Sequence, residues 1–320
     1  MFVTKNAVFV KVFPLIQDMK KVLFILLYFT FSTAVSSQII ADHTVVDKYD
    51  DIPQQYLDAV KKMLVDIAGE SHSSGYRNGM NLLELFDSRF QVTTYDGNIP
   101  GYTTSSLRLG RHGEVGEATF YTSSAAISTY KSHITSQNNT GNTYSVIGFG
   151  WCWDMTWVNA PGGTLDPVYR VHWAGASEGG PQGDRRWGLD NGDQTLTGNS
   201  VCMDTYLNAV EEYIQHCTNN GYPTKVIFTT GPVDNEAEDL SGTENGFQRE
   251  LKHDYIRDYV MADNSRILFD FADILCWNNS GVEYITYWND GGTVRPHANI
   301  HPDNMKDYDA SWNIISHTED

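Results

Sequence analysis

The sequence predicts an α/β protein, a three-layer α/β/α sandwich around a parallel five-stranded sheet of flavodoxin-like type. Three observations carry this reading. Short apolar, β-branched runs at 63–68, 90–95, 144–149, 225–230 and 266–271 alternate with longer stretches of helical periodicity. Such alternation builds a doubly wound parallel sheet through right-handed crossovers. The chain has 320 residues, 41% of them hydrophobic, enough for one large core, and neither an internal repeat nor a low-complexity linker divides it.

Taken in order, residues 1–37 are expected to be absent from the mature protein. Met19-Lys20-Lys21, the apolar run 22–31 and the small residues of 32–38 follow the basic, apolar, small order of a secretory signal peptide. The start is then Met19, with 1–18 an upstream extension, cleavage close to Gln38 and a secreted or periplasmic product. The apolar run is too short to span a membrane. Residues 38–320 are expected to form a single domain.

Residues 53–63 read as a short helix running into the first strand, 63–68, where Val65 and Ile67 suit a buried position. Gly69 ends that strand, Glu70, Ser71, His72 and Ser73 form a polar turn, and 81–86 opens a helix. The second strand is 90–95, and the Gly-, Thr- and Ser-rich stretch 97–116 is a loop. A helix at 123–136 presents Ala125, Ile127, Tyr130 and Ile134, and the third strand is 144–149. Residues 158–200 are a Gly-, Asp- and Trp-rich insertion, of a length usually associated with function or disorder. The helix at 201–219 carries Leu207, Val210, Tyr213 and Ile214 at helical spacing and is stopped by Gly221-Tyr222-Pro223. A fourth strand at 225–230, a helix at 248–261 and a fifth strand at 266–271 follow. Residues 303–320 are polar and lack helical periodicity, so a C-terminal helix is missing.

Net charge of −18 argues against binding nucleic acid, which needs a cationic footprint, and against a stable membrane partner. The eight tryptophans and 18 tyrosines exceed what a stacking site needs, so most belong to the core, with the surplus available to sugar rings. Of the four cysteines, Cys202 and Cys217 flank one helix and lie about 22 Å apart at 1.5 Å per residue, too far for a disulfide. The other pairings with Cys152 and Cys276, or four buried thiols, stay open. Asp184, Asp190, Asn191 and Asp193 read as loop residues or calcium ligands, without EF-hand spacing. No metal ligand is assigned and no cofactor is implied.

The chemistry centres on Ser71. A serine just past a strand end is commonly a turn residue or a helix cap. It is also where an exposed hydroxyl faces the crevice in which open α/β sheets bind ligands. As a nucleophile it needs an imidazole to take its proton and preorganised donors for the oxyanion. His72 is adjacent in sequence and reads better as a pocket-lining residue; His297, His301 and His317 are the C-terminal candidates for the base. Trp151, Trp153, Trp157, Trp173 and Trp187 form either a sugar-stacking wall or core, and Asp234 and Glu236 either line the pocket or are solvated.

Over residues 63–274 the chain resembles the SGNH (GDSL-type) hydrolases. Gly69-Glu70-Ser71 stands where that family has Gly-Asp-Ser, with Glu for Asp. Gly113, with Gly116 as the alternative, matches the glycine whose amide helps bind the oxyanion. Gly148-Phe149-Gly150-Trp151-Cys152-Trp153-Asp154 occupies the third block, with Cys152 where Asn is expected and Trp151 and Asp154 beside it. Thr229-Thr230-Gly231-Pro232-Val233 and Ile267-Leu268-Phe269-Asp270 resemble the later core. The family's Asp-x-x-His block is matched only by Ile300-His301-Pro302, with Ala298 in the aspartate's place, so either His301 is catalytic or the histidine lies beyond residue 320. The resemblance implies an exported serine esterase acting on a small-molecule or carbohydrate ester. The alternative is a non-catalytic carbohydrate-binding or surface protein on the same fold. The sequence leaves the oligomeric state open.

Overall fold

The computed structural model describes residues 38–69, 71–112, 120–121, 124–151, 164–165, 172–173, 203–234, 244–305, 307–308 and 314–316. The sheet is built outward from β2 (Leu64–Gly69), in which all residues but Val65 are buried. β4 (Leu107–Arg111) pairs with β2 on one side and β5 (Val146–Gly150) on the other, both parallel. β3 (Val92–Asp96) lies outside β4, and β8 (Lys225–Val226) outside β5, giving the order β3-β4-β2-β5-β8.

β8 and β9 (Phe228–Thr229) are two halves of one extended stretch, because Ile227 between them donates its N–H to Ile147 O at 3.0 Å. β9 pairs in parallel with β10 (Ile267–Phe269), and β10 with β1 (Ile39–Ala41). The parallel array thus runs on from β5 to an edge strand formed by the first described residues. This all-parallel arrangement is compatible with a flavodoxin-like fold.

The described residues include seven α-helices: α1 (His43–Val46), α2 (Gln54–Val60), α3 (Ser71–Phe86), α4 (Ser124–Thr140), α5 (Met203–Asn220), α6 (Glu244–Met261) and α7 (Phe271–Cys276). α4 and α5 pack side by side, with Lys131 to Glu212 at 2.5 Å and Thr135 to His216 at 3.0 Å. α5 meets α6 where Glu211 accepts from Tyr259 at 3.0 Å. Between helices and sheet lies an aromatic core: Phe120, Tyr130, Phe149, Trp151, Tyr206 and Tyr213 are fully buried or nearly so. An antiparallel hairpin, β11 (Ile285–Asp290) and β12 (Thr293–Ala298), leans on α6. β6 (Thr164–Leu165) with β7 (His172–Trp173), and β13 (Asp307–Tyr308) with β14 (Ile314–Ser316), are short antiparallel pairs.

Several expectations need correction. The stretch 97–116 is not all loop, since it contains β4, which lies between β2 and the strand at 92–96. Its composition hid it: Arg108 is buried and donates to Asn142 Oδ1 at 2.5 Å and Lys62 O at 2.9 Å. α3 begins at Ser71, ten residues before the expected 81, because its polar first turns find partners inside the fold. Ser73 Oγ donates to Ile67 O at 2.6 Å and accepts from Arg77 at 3.0 Å. Cys217 and Cys276 are free, buried thiols. Residues 1–37, most of the 158–200 insertion, Cys202 and His317 lie outside the described residues. Among the described residues no helix is long and apolar enough to cross a membrane.

Candidate active site

The site is the C-terminal edge of the sheet, around the point where chain order reverses between β2 and β5. There β2 passes into α3 through Gly69, whose φ is +119°. A Cβ at Gly69 would lie 2.0 Å from Gly150 O, so the two strand ends approach as only glycine allows. Gly150 in turn faces Ser73, whose Cβ would be 3.0 Å from an added Cβ. This close packing puts residue 71 at the first position of a 16-residue helix, directly over the switch point.

Two arginines hold that turn. Arg111, at the end of β4, donates to Gly69 O at 2.9 Å and to Asp96 Oδ1 at 3.0 Å. Arg77, on α3, donates to Ser73 O and Ser74 Oγ at 3.2 and 2.8 Å and lies 3.6 Å from Asp96. Below them Asp66 is fully buried in β2 and accepts from the Tyr95 and Tyr130 hydroxyls at 2.9 and 2.5 Å. Burial pushes its pKa up, while these hydroxyls and the His112 backbone N–H favour the carboxylate. The His112 bond fixes the end of β4, from which residue 113 departs.

On the other side of β5 the edge is polar and closed. Gly231 abuts Trp151, and a Cβ there would sit 2.8 Å from Trp151 Cβ and 3.3 Å from His253 Nε2. Asp234 is buried and ion-paired with Arg249, on α6. A Cβ at Gly246 would meet His297 Nε2 at 2.4 Å and Asp234 Oδ2 at 2.8 Å. Ala298 N–H donates to Glu250 Oε2 at 2.9 Å. Burial, reinforced by Asp254, pushes the Glu250 carboxyl up to about 7. Arg257 holds Asp270 at 2.7 and 3.0 Å, and Thr230 Oγ1 donates to Asp270 Oδ1 at 2.8 Å.

The residues singled out from sequence fare differently. Ser71 is placed by its backbone at the head of α3, at the switch point. Its side chain and that of His72, together with Glu70, Gly113, Gly116, Cys152 and Asp154, lie outside the described residues. Trp151 is fully buried and donates from Nε1 to Thr229 O at 2.9 Å, its ring packed on Tyr206 at 4.6 Å. It is core, not a face offered to substrate, because the close approach of Gly231 closes over it.

His301 caps the 3₁₀ turn Pro302–Asn304, its Nδ1 accepting from Asp303 N–H at 3.1 Å. Asp303 Oδ2 also lies 3.4 Å from that Nδ1, Leu275 O takes the His301 N–H at 2.9 Å, Asn304 N–H donates to His301 O at 2.7 Å, and the Tyr284 ring is 5.9 Å away. With Nδ1 accepting, the neutral ring carries its proton on Nε2 and has no lone pair there for a serine proton. His297, by contrast, is buried beside Asp234 and α6.

Sequence reading missed Arg77, Arg111, Arg249 and His253. The signal for the α6 pair was present: Gln248, Arg249, Lys252 and His253 recur at helical spacing on the face that also carries Ile256 and Val260. Among the described residues one group has metal-binding donors, Asp42, His43 and Asp273, within 4.8 Å of one another. These already bond among themselves and to the backbone, His43 Nδ1 to Asp273 Oδ2 at 2.5 Å and Thr44 N to Asp42 Oδ1 at 2.9 Å.

Comparison with protein-family models finds none that matches this chain. Comparison with curated proteins finds no match either.

Proposed function

We propose that the chain is an exported serine esterase of SGNH type that removes acyl groups, with carbohydrate esters as its substrate class. The observation that carries the reading is the position of Ser71: the first residue of α3, after a glycine at φ +119°, at the switch point of a parallel sheet. Backbone N–H groups at a helix start have no partner inside the helix and carry the positive end of its dipole. An oxyanion forming at that turn therefore meets donors already aimed at it, each worth about 3 kcal/mol of transition-state stabilisation. Gly113, in the segment leaving β4, supplies a second N–H in this reading, with Cys152 and Asp154 after β5 forming the substrate wall. Arg111 and Arg77 keep the turn rigid.

Hydrolysis then follows the two-step course of serine acyl transfer. Ser71 Oγ attacks the ester carbonyl and passes its proton to an imidazole. The tetrahedral intermediate expels the alcohol, which takes that proton, and water repeats the sequence on the acyl-serine. The imidazole in this reading is His301, after giving up its bond to Asp303. The cap made by His301 also favours a second reading, a non-catalytic carbohydrate-binding protein.

The test is hydrolysis of p-nitrophenyl acetate by the full-length protein. Ser71→Ala is expected to lower kcat/KM by at least about a thousandfold with the fold unchanged. Wild-type protein inert toward every ester tried, yet binding sugars, selects the second reading. Undiminished hydrolysis in Ser71→Ala contradicts both the nucleophile and its position.

A further inference from the structure

The outer strands β10 and β1 end at the same edge of the sheet as β2, and a second cavity lies beyond them. α1, the exit of α7 and the turn at 302–304 enclose about 330 Å³ there, the size of a small ligand pocket. Counted from β2 through β5, the β8–β9 stretch and β10, β1 is four strands away. At about 4.8 Å per strand that is roughly 19 Å, so the cavity is separate from the Ser71 turn.

Its wall is built on an imidazole that the fold holds still. His43 donates its backbone N–H to Asp273 Oδ2 at 2.8 Å, and its Nδ1 lies 2.5 Å from the same oxygen. Its ring stacks on the Trp277 indole, with 4.1 Å between centroids and 7° between planes. A carboxylate only accepts, so Nδ1 carries the proton, and in the neutral ring Nε2 keeps its lone pair. Val46, Ile274 and Leu275 extend the apolar wall from Trp277, and Asp47 and Asp303 bring carboxylates to it. The amide donors nearby are spent on the chain. Asn304 Nδ2 donates to Leu275 O and Trp277 O at 2.9 and 2.8 Å, closing the end of α7, and Asn278 Nδ2 donates to Asp303 Oδ2 at 3.3 Å. Among the described residues no lysine or arginine lines the cavity. Asp42 and Asp273 add negative charge beside His43, an oxygen of each and a ring nitrogen lying within 4.8 Å of one another.

This inventory selects the occupant. An anion meets only carboxylates and a lone pair. A neutral solute gains from the apolar wall but nothing from the charges. A metal ion would have to open the 2.5 Å His43–Asp273 contact to reach both donors, and would leave the apolar wall unused. An organic ammonium uses every part. Its N–H groups meet Nε2 and the carboxylates, its charge offsets theirs, and its carbon body lies against Trp277, whose ring also attracts a cation. We propose that this cavity binds a small primary amine with an apolar body. The site goes beyond the esterase reading and holds whether or not Ser71 is the nucleophile.

The test titrates full-length protein calorimetrically at pH 7 with benzylamine and cyclohexylamine, and with benzyl alcohol and cyclohexanol as their neutral counterparts. At least one amine is expected to bind at a single saturable site, about tenfold or more tighter than its alcohol. Asp47→Asn with Asp303→Asn should weaken it about tenfold. Both side chains are exposed, so this variant keeps its fold. His43→Phe keeps a ring on Trp277 and removes the acceptor, and should weaken binding by a similar factor; should it fail to fold, the aspartate variant decides alone. No binding of either amine, an alcohol binding as tightly as its amine, or unchanged affinity in a folded variant overturns the proposal. So does zinc chloride binding in place of both amines, lost in His43→Phe, since the donors would then serve a metal.

Discussion

Gly69 carries more of the site than any other described residue, and its role follows from having no side chain. Its φ of +119° is closed to other residues, and Gly150 O occupies the place of a Cβ at 2.0 Å. Both atoms belong to paired strands, so neither can retreat without breaking the β2–β5 register. Gly69→Ala is expected to lose at least about 3 kcal/mol of unfolding free energy in urea, or to fail to fold. A loss under about 1 kcal/mol would show that the strand ends can separate. Glu250 makes a different prediction. Its folded pKa of about 7 lies above the ordinary 4.5, so folding favours the protonated form. Its contribution to stability is full below pH 4.5 and is lost as pH rises through about 7. Glu250→Gln should therefore gain on the wild type across that window, by up to about 3 kcal/mol, in urea unfolding at pH 4.5 and pH 8. A difference independent of pH would mean that Glu250 is solvated or paired.

At the scale of elements, what could be read from sequence depended on whether periodicity and burial agreed. α5 was legible because Leu207, Val210 and Tyr213 form one apolar stripe that is also its buried face. α6 was legible as a helix but not as a site wall, because local pattern cannot show that Arg249 meets Asp234 across the fold. The first two turns of α3 were missed because Glu70, Ser71, His72 and Ser73 read as a turn. Ser73 instead spends its hydroxyl on Ile67 O and Arg77. The α6 wall has a consequence for stability. Asp234→Asn leaves the buried Arg249 charge without its counterion, an expected loss of about 3–5 kcal/mol, and Asp234→Asn with Arg249→Met should recover much of it. Urea unfolding of the two variants decides. No recovery in the double variant would mean that the pair acts separately.

Across the whole molecule, the alternation of strand and helix predicted a parallel sheet, and the five-stranded order β3-β4-β2-β5-β8 is all parallel. β4 escaped notice because Arg108, Gly110 and Arg111 make a polar strand, and Gly110 leaves room for the Tyr95 ring. β1 escaped because its partner, β10, lies more than two hundred residues away in sequence. The position of Ser71 was legible from strand, glycine and polar turn; the arginines that clamp the turn were not, since each comes from a different element. The parallel sheet puts Gly69, Gly150 and Gly231 along one edge, and the account of function depends on chemistry occurring there. The most direct test is to treat full-length protein with a fluorophosphonate ester, which phosphonylates an activated serine, and to find the modified residue by peptide mass spectrometry. The predicted result is a single adduct on Ser71, absent in Ser71→Ala together with ester hydrolysis. An adduct on another serine, with hydrolysis surviving Ser71→Ala, would contradict the account.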